Sequence, residues 1–112
     1  METNKLKEAL KDLSKEIHLN ARSKGWWDTP REFGTQVALM HSELSEALEA
    51  ARMGNPSDDK IPEFDGVSAE LADVIIRILD SNEGESLNVI DAMFAKIEMN
   101  KGREPMHGGK KF

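Results

Sequence analysis

Residues 66–79 read Gly66-Val67-Ser68-Ala69-Glu70-Leu71-Ala72-Asp73-Val74-Ile75-Ile76-Arg77-Ile78-Leu79. Apolar side chains at Val67, Leu71, Val74, Ile75 and Ile78 recur with the α-helical period, which predicts a helix from near Gly66–Ser68 to about Ser81. Ile76 and Leu79 are apolar too, so this helix is greasy over most of its circumference and is expected to be buried on several sides. In a chain of 112 residues, that points to a partner subunit. Asp73 and Arg77 break the apolar run, and charged groups are seldom buried without a partner. The strongly apolar part, Val74 to Leu79, falls far short of the roughly 20 residues a bilayer requires.

The flanking segments repeat the pattern. Leu6, Leu10, Leu13, Ile17 and Ala21 share one face of a first helix, which Gly25 should end. Thr29-Pro30-Arg31-Glu32 has the form of a capping box with proline at the first helical position, predicting the start of a second helix. Its seam is Phe33, Val37, Met40, Leu44, Ala47 and Ala51, and Gly54-Asn55-Pro56 stops it. Ser57 to Asp65 reads as a connecting loop. Asn82-Glu83-Gly84 is a break. A fourth helix carries Leu87, Ile90, Phe94, Ile97 and Lys101 and ends near Gly102, followed by an irregular tail. No segment alternates with period two long enough to make a strand. The expectation is an all-α, four-helix bundle in a single domain, residues 1–112, completed by dimerisation.

Composition narrows the function. There are 15 Lys plus Arg against 21 Asp plus Glu, a formal net charge of −6, so a nucleic-acid polymer is an unsuitable partner. There are no cysteines, which removes disulfides, thiol catalysis and thiolate metal sites and fits a reducing cytoplasm. No secretory signal is visible and no membrane association is expected.

The carboxylates hold the chemistry. Glu43-Leu44-Ser45-Glu46 and Glu70-Leu71-Ala72-Asp73 are acidic pairs at i, i+3, one on each of two neighbouring helices, beside the apolar seams. If those helices pack together, four carboxylates converge. They must then take up protons or bind cations. Oxygen-only donors suit Mg²⁺, Mn²⁺ or Ca²⁺. Acidic pairs at this spacing also decorate solvated helix faces. A bundle di-iron site would require Glu-x-x-His, which neither pair offers.

Glu43, Glu46, Glu70 and Asp73, with Gly25-Trp26-Trp27 upstream and Lys96-Ile97-Glu98-Met99-Asn100-Lys101 near the end, resemble the MazG-like nucleotide pyrophosphohydrolases of the all-α NTP pyrophosphatase superfamily. The likeness spans about residues 18 to 111. Ser42 stands where that pattern often has a further glutamate. The resemblance implies Mg²⁺-dependent hydrolysis of a (deoxy)nucleoside triphosphate to monophosphate and pyrophosphate, with Mn²⁺ able to substitute. It gives the metal role to Glu43, Glu46, Glu70 and Asp73, with Glu43 or Glu46 accepting the proton of the attacking water. A phosphoribosyl-ATP or modified-nucleotide pyrophosphohydrolase shares the motif. A non-catalytic helical interaction module is the reading from a different class.

Further residues are candidates for holding the nucleotide. Lys96, Asn100 and Arg103 form one stripe, i, i+4, i+7, which suits a triphosphate and equally suits an ordinary basic helix C-terminus. Trp26 and Trp27 either stack on a base or pack against the end of the bundle. The expected assembly is a homodimer or a dimer of dimers.

Overall fold

Asp65 starts the central helix. Its carboxylate accepts from the Ser68 backbone N–H at 2.9 Å and from the Ser68 hydroxyl at 2.8 Å, satisfying a donor that the first helical turn leaves free. The computed structural model describes residues 3–102. Within that range the chain forms α1 (Thr3–Ser23), α2 (Phe33–Arg52), α3 (Gly66–Gly84) and α4 (Val89–Lys101). Among the described residues there is no strand; one isolated bridge joins Ser57 to Asp65 and closes the α2–α3 loop. No described helix is long and apolar enough to cross a membrane.

The helix ends follow from local chemistry. Gly25, at φ +87°, closes α1, with the Trp26 N–H reaching the Ala21 carbonyl at 3.1 Å and the Gly25 N–H reaching that of Arg22 at 3.0 Å. Gly54 and Asn55 close α2 in the same way onto Ala51 and Ala50. The start of α2 is not where Thr29-Pro30-Arg31-Glu32 predicts it. The helix begins at Phe33, Glu32 is an extended N-cap (φ −68°, ψ 140°), and no side chain caps it. Arg31 stays outside the helix, and its guanidinium lies over the rings of Trp26 and Trp27, 5.8 and 5.5 Å from their centroids. In turn, α3 runs through the expected break at Asn82 to Gly84. Asn82 is buried there, donating to Ser14 Oγ at 3.2 Å and accepting from the Val89 N–H at 2.9 Å.

Helix α3 is the centre of the molecule, with α2 packed along it most extensively and α1 next; α4 makes its helix contacts mainly with α1. The α2–α3 pair is antiparallel: Gln36 meets Glu85, Glu43 meets Arg77, and Ala50 meets Gly66. The buried apolar side chains are mostly small: Ala21, Ala47, Ala69, Val74, Leu79 and Ile90. Polar residues share the interior. Ser14 Oγ donates to the Leu79 carbonyl at 2.8 Å across the α1–α3 seam. Leu79, read from the sequence as surplus to the seam, is covered within the chain. Ile76 is not; it remains 46% exposed. Phe33 and Leu44, both in the expected α2 seam, are also exposed.

A candidate metal centre between α2 and α3

The antiparallel register brings Glu43 and Glu46 of α2 against Glu70 of α3. One carboxylate oxygen of each lies within 4.8 Å of the other two. Asp73 stands outside this trio. It is exposed, one turn further along α3, and still feels the Glu43 charge. Of the four carboxylates singled out from the sequence, three meet and the fourth borders them.

Electrostatics divides the trio. Burial raises the Glu70 carboxyl first, and contact with Glu43 and Glu46 raises it further, to about 7 from an ordinary 4.5. One of its oxygens, Oε2, is buried with no hydrogen-bond partner. Burial also pushes Glu43 upward, but contacts with Glu70, Arg77 and Glu46 and the charge of Arg77 outweigh it, leaving Glu43 below the usual range. Arg77 Nε and Nη2 both reach Glu43 Oε1, each at 3.1 Å. Burial, then the Glu43 charge, raises Asp73; Arg77 opposes this, as does Lys60 of the α2–α3 loop. One arginine does not balance these acids. The oxygen-only donors and the orphaned Glu70 oxygen fit a hard divalent cation.

A cavity of about 390 Å³ adjoins the cluster through Arg77. Its wall includes Trp26, Ile17, Asn20 and Lys24 together with Ile76 and Asp80 of α3. The two tryptophans have different jobs. Trp27 is fixed: its indole N–H donates to both oxygens of buried Asp80, at 3.0 and 3.1 Å, and its ring meets His18 edge-on at 5.1 Å. His18 Nδ1 holds the same Asp80 oxygen at 2.8 Å. A Cβ on Gly84 would run into the Trp27 ring, so only glycine allows this approach. Trp26 is 48% exposed and faces the cavity, with the Arg77 guanidinium 5.7 Å from its ring centre.

The stripe on α4 lies elsewhere. Lys96 and Asn100 are exposed and border an apolar groove of about 590 Å³ with Ile75, Ile78 and Leu79. At about 100° per residue, Ile75 and Leu79 are about 140° and 180° round α3 from Glu70, so the groove is on the far side from the carboxylates. Arg103 lies outside the described residues.

Several site residues had no sequence signal strong enough to single them out. Arg77 was visible as a charge in an apolar run, one turn beyond Glu70 and Asp73 on the same stripe, but its pairing with Glu43 was not. Gln36, buried at 2% exposure, and Asp80, at 6%, were missed, because a lone polar residue at a helix interface has no period. No family model matches the chain, and no curated protein or solved structure matches it significantly.

Proposed function

We propose that the chain is a Mg²⁺-dependent pyrophosphohydrolase that cleaves nucleoside triphosphates to the monophosphate and pyrophosphate. The observation that carries this reading is the junction of three carboxylates, one with an orphaned buried oxygen, and a cavity bearing Trp26 on its wall that Arg77 joins to them. Its resemblance in motif to MazG-like enzymes supports the same reaction. Glu43, Glu46 and Glu70 would hold the cation, with Asp73 bordering them. A bound divalent ion supplies charge neutralisation for the phosphates and acidifies a water. Glu46 is the exposed member of the trio and makes no ion pair among the described residues, so it is the better placed to accept that water's proton. Glu43 is held by Arg77. Trp26 offers its ring to the base, and Trp27 shapes the turn that presents it.

A second copy of this chain completes the proposal. Leu71 and Ile75 of α3 are 42% and 58% exposed, and Leu44 and Leu48 of α2 are 45% and 55% exposed, each pair at i, i+4. Apolar stripes on two adjacent helices are the composition of an interface core. Dimerisation also gives the α4 stripe a route to a ligand, since Lys96 and Asn100 do not face their own chain's carboxylates. A native mass near 12.5 kDa instead of about twice that would remove the dimer.

The test of function is pyrophosphate release across canonical, deoxy and modified triphosphates, and phosphoribosyl-ATP, with Mg²⁺ and Mn²⁺. Release that disappears in Glu43→Gln and Glu46→Gln, with the fold intact, supports the hydrolase. No release from any substrate, together with no melting shift on adding Mg²⁺ and a non-hydrolysable triphosphate, leaves the interaction module.

A further inference from the structure

This inference rests on the reading of Glu43, Glu46 and Glu70 as a cation site and concerns the arginine beside it. Arg77 has two nitrogens on one oxygen, Glu43 Oε1, at 3.1 Å. A divalent cation held by the trio would draw on the same carboxylate and repel the guanidinium. Glu43 is its ion-pair partner; Asp73 acts on it through charge, and Asp80 lines the adjoining cavity with it. On its other side Arg77 borders the cavity. The Trp26 ring centre is 5.7 Å away, and Arg77 lines the 390 Å³ cavity. Arg77 also lines a separate void of about 10 Å³ with Arg31, Gln36, Leu39, Asp80 and Ser81; the Asp80 carboxylate there already accepts from Trp27 and is held by His18.

Gln36 lines the same void from α2. It is 2% exposed, its Nε2 donates to Glu85 Oε2 at 2.8 Å, and its Oε1 is buried with no donor. A buried acceptor left unsatisfied is costly, and a void of that size admits one water or one N–H group. A guanidinium has five N–H donors in a rigid plane. One of them turned from Glu43 into the void that Arg77 shares with Gln36 would satisfy the orphaned oxygen and leave the others for an anion.

We propose that Arg77 changes partners when the trio takes a divalent cation, leaving Glu43 Oε1 for a phosphate oxygen of the ligand and steadied by Gln36 Oε1. Bidentate geometry suits guanidinium and phosphate equally well. The device has a thermodynamic signature. Arg77 competes with the cation when no phosphate is present and helps it when phosphate is bound, so cation and phosphate ligand bind cooperatively, each favouring the other by the same factor.

Titration calorimetry tests this with wild type, Arg77→Met and Arg77→Gln. Methionine removes charge and hydrogen bonding; glutamine removes the charge but keeps an N–H for Glu43 and serves if the first variant melts early. Mg²⁺ alone should bind both variants about tenfold more tightly than wild type. An α,β-methylene triphosphate should bind both at least tenfold more weakly at saturating Mg²⁺ and nearly equally in EDTA. Complexation of Mg²⁺ by the analogue in solution is the same for all three proteins and cancels. Mg²⁺ binding the variants no more tightly than wild type, or analogue affinity unchanged at saturating Mg²⁺, overturns the exchange while leaving the cation site standing. A wild type that takes up no Mg²⁺ overturns both.

Discussion

Replacing Glu70 with Gln should stabilise the protein at alkaline pH and abolish its response to Mg²⁺. The Glu70 carboxyl is raised to about 7 from 4.5, first by burial and then by Glu43 and Glu46. A gap of that size corresponds to about 3 kcal/mol between the protonated and ionised forms. The sign follows from linkage. The folded chain holds this proton more tightly than the unfolded chain, so Glu70 costs nothing below pH ~4.5. The penalty grows as pH rises and is complete above about 7. Glutamine does not ionise, and its amide N–H groups face two carboxylates that repel the native side chain. Since the neighbouring acids relax and share the strain, the realised gain at pH 8 in EDTA is about 1–3 kcal/mol. For a chain of this size that raises the melting midpoint by at least about 4 °C. Urea and thermal melts at pH 5, 6, 7 and 8, in EDTA and in excess Mg²⁺, measure both halves. Wild type should lose stability across that range in EDTA and recover it with Mg²⁺, by about 2.7 kcal/mol at a hundredfold excess over Kd. The variant should show a smaller loss, since Asp73 is also raised and still titrates, and no recovery with Mg²⁺. If Glu70→Gln is less stable than wild type at pH 8 in EDTA, or keeps the same pH slope, the crowding of these carboxylates is not what the geometry says it is.

Asp73→Asn should weaken Mg²⁺ binding less than Glu46→Gln does, because Asp73 stands outside the trio; calorimetry that ranks them the other way moves the site along α3. Trp27→Phe should cost about 1–3 kcal/mol in urea unfolding, since it removes the indole donor from buried Asp80. Trp26→Ala should leave the melting midpoint nearly unchanged and weaken binding of a nucleotide analogue. Gly84→Ala should destabilise by about 1–3 kcal/mol through its clash with the Trp27 ring, and an unaffected melt would mean that ring does not rest on the helix.

The helices were legible because each writes a period into consecutive residues. Leu6 to Ala21 and Val67 to Ile78 announce a face without reference to anything else in the chain. Gly25 and Gly54 announce ends, since both sit at positive φ. The start of α2 was misread because Thr29-Pro30-Arg31-Glu32 has the form of a cap whose bonds the folded chain does not make: Glu32 is the N-cap, and no side chain caps it. Arg31 lies over two indole faces instead. The interior polar residues were illegible for a related reason. Ser14, Gln36, Asp80 and Asn82 look like any solvated helix residue until the partner across the seam is known. The same holds for the tryptophans, which are adjacent in sequence, yet Trp26 faces a cavity and Trp27 a buried carboxylate.

The acidic pairs themselves were fixed by the chain alone: i, i+3 spacing places Glu43 with Glu46 and Glu70 with Asp73 on their own helices, whatever the rest of the protein does. Which of the four meet is a matter of register between α2 and α3. The register is fixed by contacts remote from the carboxylates, notably Ala50 against Gly66 at one end and Gln36 with Glu85 at the other. Periodicity is a one-dimensional property and survives any arrangement of the helices. Convergence depends on how far one helix is slid along another, and a shift of one turn, about 5.4 Å, would bring Asp73 in and leave Glu70 out.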